Sequence, residues 1–135
     1  HFEFFRLLKD HEGLGRKDEL IGLEVNMRPS GGISPDMMNF SQSTDVYKIW
    51  ADMIAYDSSL RGIGQTAFCA FAGRRDGKNF VMSDEDIMYK YGANMKMSGR
   101  VADALSGAMG NQMYIANFNT KEEMDAFYND VLACR

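Results

Sequence analysis

The chain has 135 residues, of which 45% are hydrophobic, 25% charged and 12% aromatic, a composition typical of one globular domain and not of a disordered segment. Fifteen Lys and Arg against 19 Asp and Glu give a net charge of −4, which argues against nucleic acid or an anionic membrane surface as a partner. No apolar run approaches the roughly 18–20 residues that span a bilayer.

The cysteines and the first residues bear on the cellular compartment of the protein and on whether the chain is part of a longer polypeptide. Cys69 and Cys134 lie far apart, with no CxxC pattern and no histidine close by, so we expect reduced thiols in a cytoplasmic protein. The chain opens with His-Phe-Glu-Phe-Phe, which has the pattern of a strand already under way and lacks the basic start of a signal peptide. We therefore expect it to be part of a longer polypeptide.

The first half predicts two strands and one helix. Residues 2–8 and 20–26 are rich in bulky apolar side chains and flank a polar, glycine-containing stretch, which predicts an antiparallel pair joined by a long loop. Residues 27–43 are predicted as loop with one short helical turn after Pro35. An amphipathic helix should then run from residue 43 or 44 to about Tyr56.

The second half, residues 63–135, is predicted as a small subdomain of order β-β-α-β-β-α. An Asp-Gly pair at residues 76 and 77 predicts a hairpin turn, with the neighbouring Arg74 and Arg75 in solvent. Ser83 and Thr120 each precede an acidic residue by three positions, which is typical of helix starts. The predicted elements are strands at 66–72 and 80–82, a helix at 83–91, strands at 94–101 and 112–118, and a helix at 120–133. The fold class is therefore α+β, with domains at 1–62 and 63–135.

The most informative stretch runs from Gly22 to Gly32. On a strand, Glu24, Asn26 and Arg28 point to one face, because side chains alternate. Carboxylate and amide oxygens are hard ligands suited to Mg²⁺, and an arginine beyond them can clamp a carboxylate or phosphate. The Ser30-Gly31-Gly32 segment offers backbone N–H groups to an anion.

Glu3 lies on the preceding predicted strand and can face Glu24 if the two strands pair. Two carboxylates so placed repel each other unless a cation lies between them. A Glu and an Asn alternating on a strand are also typical of an ordinary solvated face, and a Gly-Gly pair is also typical of a turn. Both interpretations stay open on spacing alone.

The segment Glu-Val-Asn-Met-Arg-Pro-Ser-Gly-Gly resembles the metal-binding strand of the ATP-grasp superfamily, and His-Phe-Glu-Phe-Phe resembles the strand before it. The likeness is greatest to the carboxylate–amine ligases and to the branch of carbamoyl-phosphate synthase and biotin carboxylase. It covers residues 1 to about 57, as the C-terminal part of a catalytic domain with antiparallel strands and a following helix.

The resemblance implies an ATP-dependent ligase that activates a small carboxylate as an acyl phosphate, which an amine or ammonia then attacks. Glu3, Glu24 and Asn26 would bind Mg²⁺ or Mn²⁺, with ATP as co-substrate. Arg28 would be catalytic and would steady the acyl phosphate or the substrate carboxylate. Ser30, together with Gly31 and Gly32, would contribute to phosphate binding.

One part of the family pattern is missing. The glycine-rich phosphate loop and the lysines on the adenine side lie upstream of these strands in the family, and nothing like them occurs here. The resemblance thus implies that the full-length protein is an enzyme with ATP and a small carboxylate as partners. It also implies that the present chain is inactive by itself. The alternative is a non-catalytic α+β module that binds a divalent ion or a protein partner, and a homodimer also stays open.

Overall fold

The computed structural model describes all of residues 1–135 and has five helices and five strands. The strands form two small antiparallel sheets, one of two strands and one of three. The predicted α+β class is therefore confirmed. None of the helices combines the length and apolarity that crossing a membrane requires.

The contacts within the chain divide it into two compact units. Unit 1 comprises residues 1–35 and 46–59, and unit 2 comprises residues 36–45 and 60–135. The domain boundary between residues 62 and 63 stays a prediction.

Unit 1 contains the predicted antiparallel pair. Strand β1 (Phe2–Arg6) pairs with β2 (Leu20–Val25), and Glu3 is the partner of Glu24. The register shifts between Glu3 and Phe4, because Leu23 has no partner and forms a bulge. The two runs of bulky apolar side chains thus predicted both strands, although each strand is shorter than expected.

The two helices of the first half differ in how well they were predicted. Helix α1 (Ser34–Gln42) replaces the single turn expected in this region, so the loop assignment of residues 27–43 was wrong over these nine residues. Helix α2 (Val46–Tyr56) matches the predicted amphipathic helix closely. It has no buried residue, and the side chain of Trp50 is 41% exposed.

Unit 2 alternates strands and helices. Its sheet has the order β3-β5-β4, with the last strand of the chain in the centre and antiparallel to both neighbours. The strands are β3 (Phe68–Arg74), β4 (Met95–Arg100) and β5 (Gln112–Phe118). The helices are α3 (Asp84–Tyr91), α4 (Asp103–Met109) and α5 (Lys121–Leu132).

The predicted order β-β-α-β-β-α for residues 63–135 was wrong, since the observed order is β-α-β-α-β-α. The strand expected at 80–82 is absent, because Phe80 makes a single bridge to Cys134 and does not pair back onto β3. Helix α4 was not predicted. It ends so close to β3 that a Cβ on Gly73 would lie 2.0 Å from the Met109 carbonyl oxygen, so only glycine fits there.

The core of unit 2 lies between one face of its sheet and two helices. Phe127 is fully buried, and its ring centre lies 5.1 Å from that of Tyr91 and 5.2 Å from that of Phe118. Capping boxes start both helices, at Ser83 and Thr120, as the sequence predicted. The buried cluster comprises Ala70, Ala72, Ile87, Tyr91, Tyr114, Ala116, Phe118, Phe127 and Val131.

Candidate functional site

The hairpin of unit 1 brings Glu3 and Glu24 directly opposite each other on adjacent strands. Residues so paired have Cβ atoms about 4.5–5.5 Å apart, so their side chains interact. The long loop between the strands left this register undetermined in the sequence. The bulge at Leu23 contributes to it, because the pairing of Phe4 with Gly22, continued without a bulge, would place Glu3 opposite Leu23 instead of Glu24.

Asn26 joins the two carboxylates in one polar cluster. Its side-chain Nδ2 donates a hydrogen bond of 2.6 Å to Glu24 Oε1, and its own amide oxygen accepts no hydrogen bond within the chain. The strand pairing extends past β2 to this residue, since the Asn26 backbone N–H donates to the His1 carbonyl at 2.8 Å. Three predicted metal-ligating residues therefore lie together.

His1 is a fourth member that the sequence analysis did not include. Its Nε2 lies 3.0 Å from Glu3 Oε1, and its Nδ1 lies 3.4 Å from Asn26 Nδ2. The signal that would have found it is positional, because a residue two before Glu3 on the same strand shares its face. We name these four residues, His1, Glu3, Glu24 and Asn26, the oxygen cluster after its main donors.

The electrostatics of the oxygen cluster favour a cation. Neither Glu3 nor Glu24 forms an ion pair with Lys or Arg. The neighbouring groups that carry or can carry positive charge belong to His1, whose Nε2 lies 3.0 Å from Glu3 Oε1 and whose N-terminal ammonium donates to the Asn26 carbonyl at 2.9 Å. Like charges directly opposite on a sheet are destabilising. A hard cation bound between them would remove that repulsion and would suit oxygen donors.

The oxygen cluster is not a complete metal site by itself. No group of three or more His, Cys, Asp or Glu side chains in the structure is arranged to hold an ion. The donors present are two carboxylates and one amide oxygen, which fit Mg²⁺ because that ion keeps waters or substrate phosphates as its other ligands. The remaining ligands would have to come from outside the chain.

The other predicted site residues follow the hairpin, and Arg28 contacts the oxygen cluster through its backbone carbonyl, which accepts a hydrogen bond of 3.1 Å from the His1 N-terminal ammonium. The Arg28 guanidinium is exposed and donates to the Pro29 carbonyl at 3.0 Å. Ser30 Oγ is buried without a hydrogen-bond partner. Gly31 and Gly32 are exposed, and Gly32 has a φ of 65°, a conformation that favours glycine.

Unit 1 exposes an unusual amount of apolar surface around this polar site. Phe2, Phe5 and Val25 are each about 60% exposed although they lie on the paired strands. A two-stranded hairpin is at best marginally stable alone in water, so apolar faces of this kind need further protein against them. Other exposed apolar residues of unit 1 include Phe4, Leu8, Leu20, Leu23, Met27, Ile54 and Tyr56.

Comparisons of the chain with protein families, with curated proteins and with solved structures gave no match.

Proposed function

We propose that this chain supplies the metal-binding part of the active site of an ATP-dependent carboxylate–amine ligase. The observation that carries the proposal is the pairing of Glu3 with Glu24, with Asn26 hydrogen-bonded to the latter. The resemblance of both strands to the ATP-grasp superfamily supports the same conclusion. We propose in addition that residues 1–62 form the C-terminal part of an ATP-grasp domain.

Glu3, Glu24 and Asn26 would hold Mg²⁺ or Mn²⁺ through their side-chain oxygens. The bound ion would neutralise charge on the phosphates of ATP as the carboxylate substrate is activated. The chain's own contribution is the facing placement of the two carboxylates, which the hairpin register fixes before any ligand binds. Such placement avoids reorganisation when charge develops.

Arg28 and the glycines would act on the phosphoryl group. The Arg28 guanidinium makes one hydrogen bond, to the adjacent Pro29 carbonyl, so most of its donors are free for an acyl phosphate or a carboxylate. No atom lies within 4 Å of a Cβ built on Gly31 or Gly32, so a ligand can approach the backbone there. Ser30 lies beside them and would complete the contact.

The exposed apolar faces of unit 1 support a site that is completed by further protein. ATP needs a phosphate loop and an adenine pocket, and the family places both upstream of these strands. A nucleotide-binding part packed on the hairpin would cover Phe2, Phe5 and Val25 and would bring ATP to the oxygen cluster.

A metal-binding measurement tests whether Glu3, Glu24 and Asn26 bind a divalent cation. We expect Mn²⁺ to broaden the NMR amide signals of Glu3, Glu24 and Asn26 selectively. E24Q should abolish this broadening because it removes one carboxylate. E12Q is the matched control, since Glu12 is an exposed glutamate in the loop of the same hairpin. Equal broadening in wild type and E24Q would refute the metal assignment.

An activity measurement on the full-length protein tests the proposed ligase reaction. We expect ADP release that depends on Mg²⁺, on a carboxylate and on an amine, and a loss of kcat on the order of 100-fold in E24Q but not in E12Q. An E24Q enzyme with unchanged kcat would show that Glu24 is not a metal ligand of the reaction.

The second candidate is a non-catalytic module that binds a protein partner through unit 1. The exposed apolar residues of β1, β2 and α2 favour it. Metal binding without any ATP-dependent turnover of the full-length protein would favour this function over the ligase.

A further inference from the structure

A cavity of about 290 Å³ lies wholly within unit 2. Its lining is mostly polar and includes the residues Gln65, Asn94, Lys96, Asn117 and Asn119. Lys96 is the one charged residue in that lining, in a chain whose net charge is −4. The cavity therefore combines a single positive charge with several amides, which is the chemistry of a site for a small anion with polar substituents.

Hydrogen bonds link Asn117 of β5 to two other residues of the cavity lining, Asn94 and Phe40. The Asn117 backbone N–H donates to the Asn94 carbonyl at 2.9 Å, and Asn94 Nδ2 donates back to the Asn117 carbonyl at 2.9 Å. Asn117 Nδ2 also donates to the Phe40 carbonyl at 2.7 Å. Asn117 Oδ1 is buried and accepts no hydrogen bond, which is rare in native proteins.

Lys96 occupies a β-bulge at the cavity. Met95 pairs with Ala116 and Met97 with Ile115, so Lys96 between them has no partner on β5. Bulges of this kind re-aim a side chain and are enriched beside functional sites. The Lys96 ammonium forms no hydrogen bond or ion pair within the chain, and neither do the side-chain amides of Gln65 and Asn119.

We propose that this cavity binds a small carboxylate that also carries an N–H donor, the chemical class of amino acids and their N-acyl derivatives. Lys96 would bind the carboxylate, and the unmet acceptor Asn117 Oδ1 would receive the N–H. The amides of Gln65 and Asn119 can donate to or accept from either end of such a ligand. All four residues lie in unit 2, so the proposal does not depend on the ligase function or on the oxygen cluster.

The test is an NMR titration of the chain with N-acetylglycine, which has one carboxylate and one amide N–H. N-acetylglycinamide lacks the charge and acetate lacks the N–H, so both serve as control ligands. We expect the amide signals of Gln65, Lys96, Asn117 and Asn119 to shift with N-acetylglycine, and to shift less with either control. No shift at millimolar concentrations would overturn the proposal.

Two lysine variants separate a specific site from general charge. K96M should weaken N-acetylglycine binding about tenfold, because it removes a charged hydrogen-bond donor. K78M is the matched control, since Lys78 is an exposed lysine elsewhere in unit 2, and it should leave binding unchanged. Unshifted signals of Ile87 and Phe127 in K96M would show that the core is intact. Equal weakening by both variants, or binding of inorganic phosphate as tight as that of N-acetylglycine, would overturn the proposed ligand class.

Discussion

Replacing Arg74 by Met tests how a buried cation is held in unit 2. The Arg74 side chain is only 6% exposed, its Nε donates to the Val131 carbonyl at 2.7 Å, and its Nη1 donates to the Met82 carbonyl at 2.9 Å. Its guanidinium carbon lies 4.4 Å from the ring centre of Phe80 and 5.5 Å from that of Tyr114. Its Nη2 is buried without a partner.

R74M changes the free energy of unfolding through several contributions of opposite sign. R74M leaves two carbonyl groups without their donor, at about 1 kcal/mol or more each, and removes two cation–π contacts of about 0.5–1 kcal/mol each. The substitution also removes a buried charge whose Nη2 has no hydrogen-bond partner, so the folded protein no longer bears the desolvation cost of that charge. This gain offsets part of the loss. Asp84, whose oxygen lies 3.5 Å from Nη1, is 63% exposed, so no carboxylate is left buried and unpaired. We therefore expect a net loss of about 2–3 kcal/mol, below the roughly 3–5 kcal/mol of a fully buried pair that loses one partner.

Urea unfolding followed by far-UV circular dichroism measures this loss, and an unchanged m-value would show that the unfolded reference is the same. R75M is the matched control, because the neighbouring Arg75 is exposed and donates to the Gly107 carbonyl at 2.7 Å. That variant should lose about 0.5 kcal/mol or less. An R74M protein as stable as the wild type, or more stable, would refute the reasoning, because the cost of burying the charge would then outweigh its contacts.

Two further predictions concern the core and the acid limit of stability. F127A should lower the free energy of unfolding by about 3–5 kcal/mol in urea, because it leaves a cavity at a fully buried site between aromatic rings. F68A is the control, since Phe68 is 45% exposed. A loss in F127A no larger than that in F68A would contradict this. Hydrogen bonds from Lys90 and, to a smaller extent, Tyr91 lower the pKa of the Asp130 carboxyl group in the folded protein. These hydrogen bonds therefore stabilise the fold fully above the unfolded-state pKa of about 3.9, and this stabilisation is lost as the pH falls through the folded-state pKa. The stability difference between wild type and D130N should therefore narrow on acidification, and a difference that stays constant with pH would contradict the assignment.

Local pattern was sufficient to predict strands and helices whose signals lie within one segment. The signals for β1 and β2 are runs of bulky apolar residues, and those for α3 and α5 are the capping residues Ser83 and Thr120. Each of these signals lies within its own segment, so these elements were predicted. The pairing of Glu3 with Glu24 was expected only as a possibility, because register depends on the turn and on the bulge at Leu23.

The errors have identifiable physical causes. Helix α1 was predicted as one short turn within a loop, although Pro35 near its start and Asp36 in its first turn are typical of a longer helix. Helix α4 contains Ser106 and Gly107, which have low helix propensity. Arg74 beside an Asp-Gly turn was expected in solvent, but it is buried by contacts with α5 and with the segment that contains Phe80 and Met82.

Other errors came from pairing between distant parts of the chain. Phe80 follows a turn signal, yet its bridge partner is Cys134, more than 50 positions away. The cavity of unit 2 likewise joins Gln65, Lys96 and Asn117 from three separate segments, and no spacing in the sequence relates them. Contacts of this kind depend on the sheet order β3-β5-β4, which a local pattern does not specify.

The two units differ in how their apolar residues are used, and the difference bears on the proposed ligase. Unit 2 buries large side chains such as Ile87, Tyr114 and Phe127 completely or nearly so. The only buried positions of unit 1 are Leu7 and Pro35, and the strands that carry the oxygen cluster are apolar and exposed around it. Stability alone would select polar residues at such exposed positions, whereas apolar residues there are typical of a surface that further protein covers. A metal site on that surface would then lie where the covering part can supply the missing ligands, as a ligase with ATP bound between two parts requires.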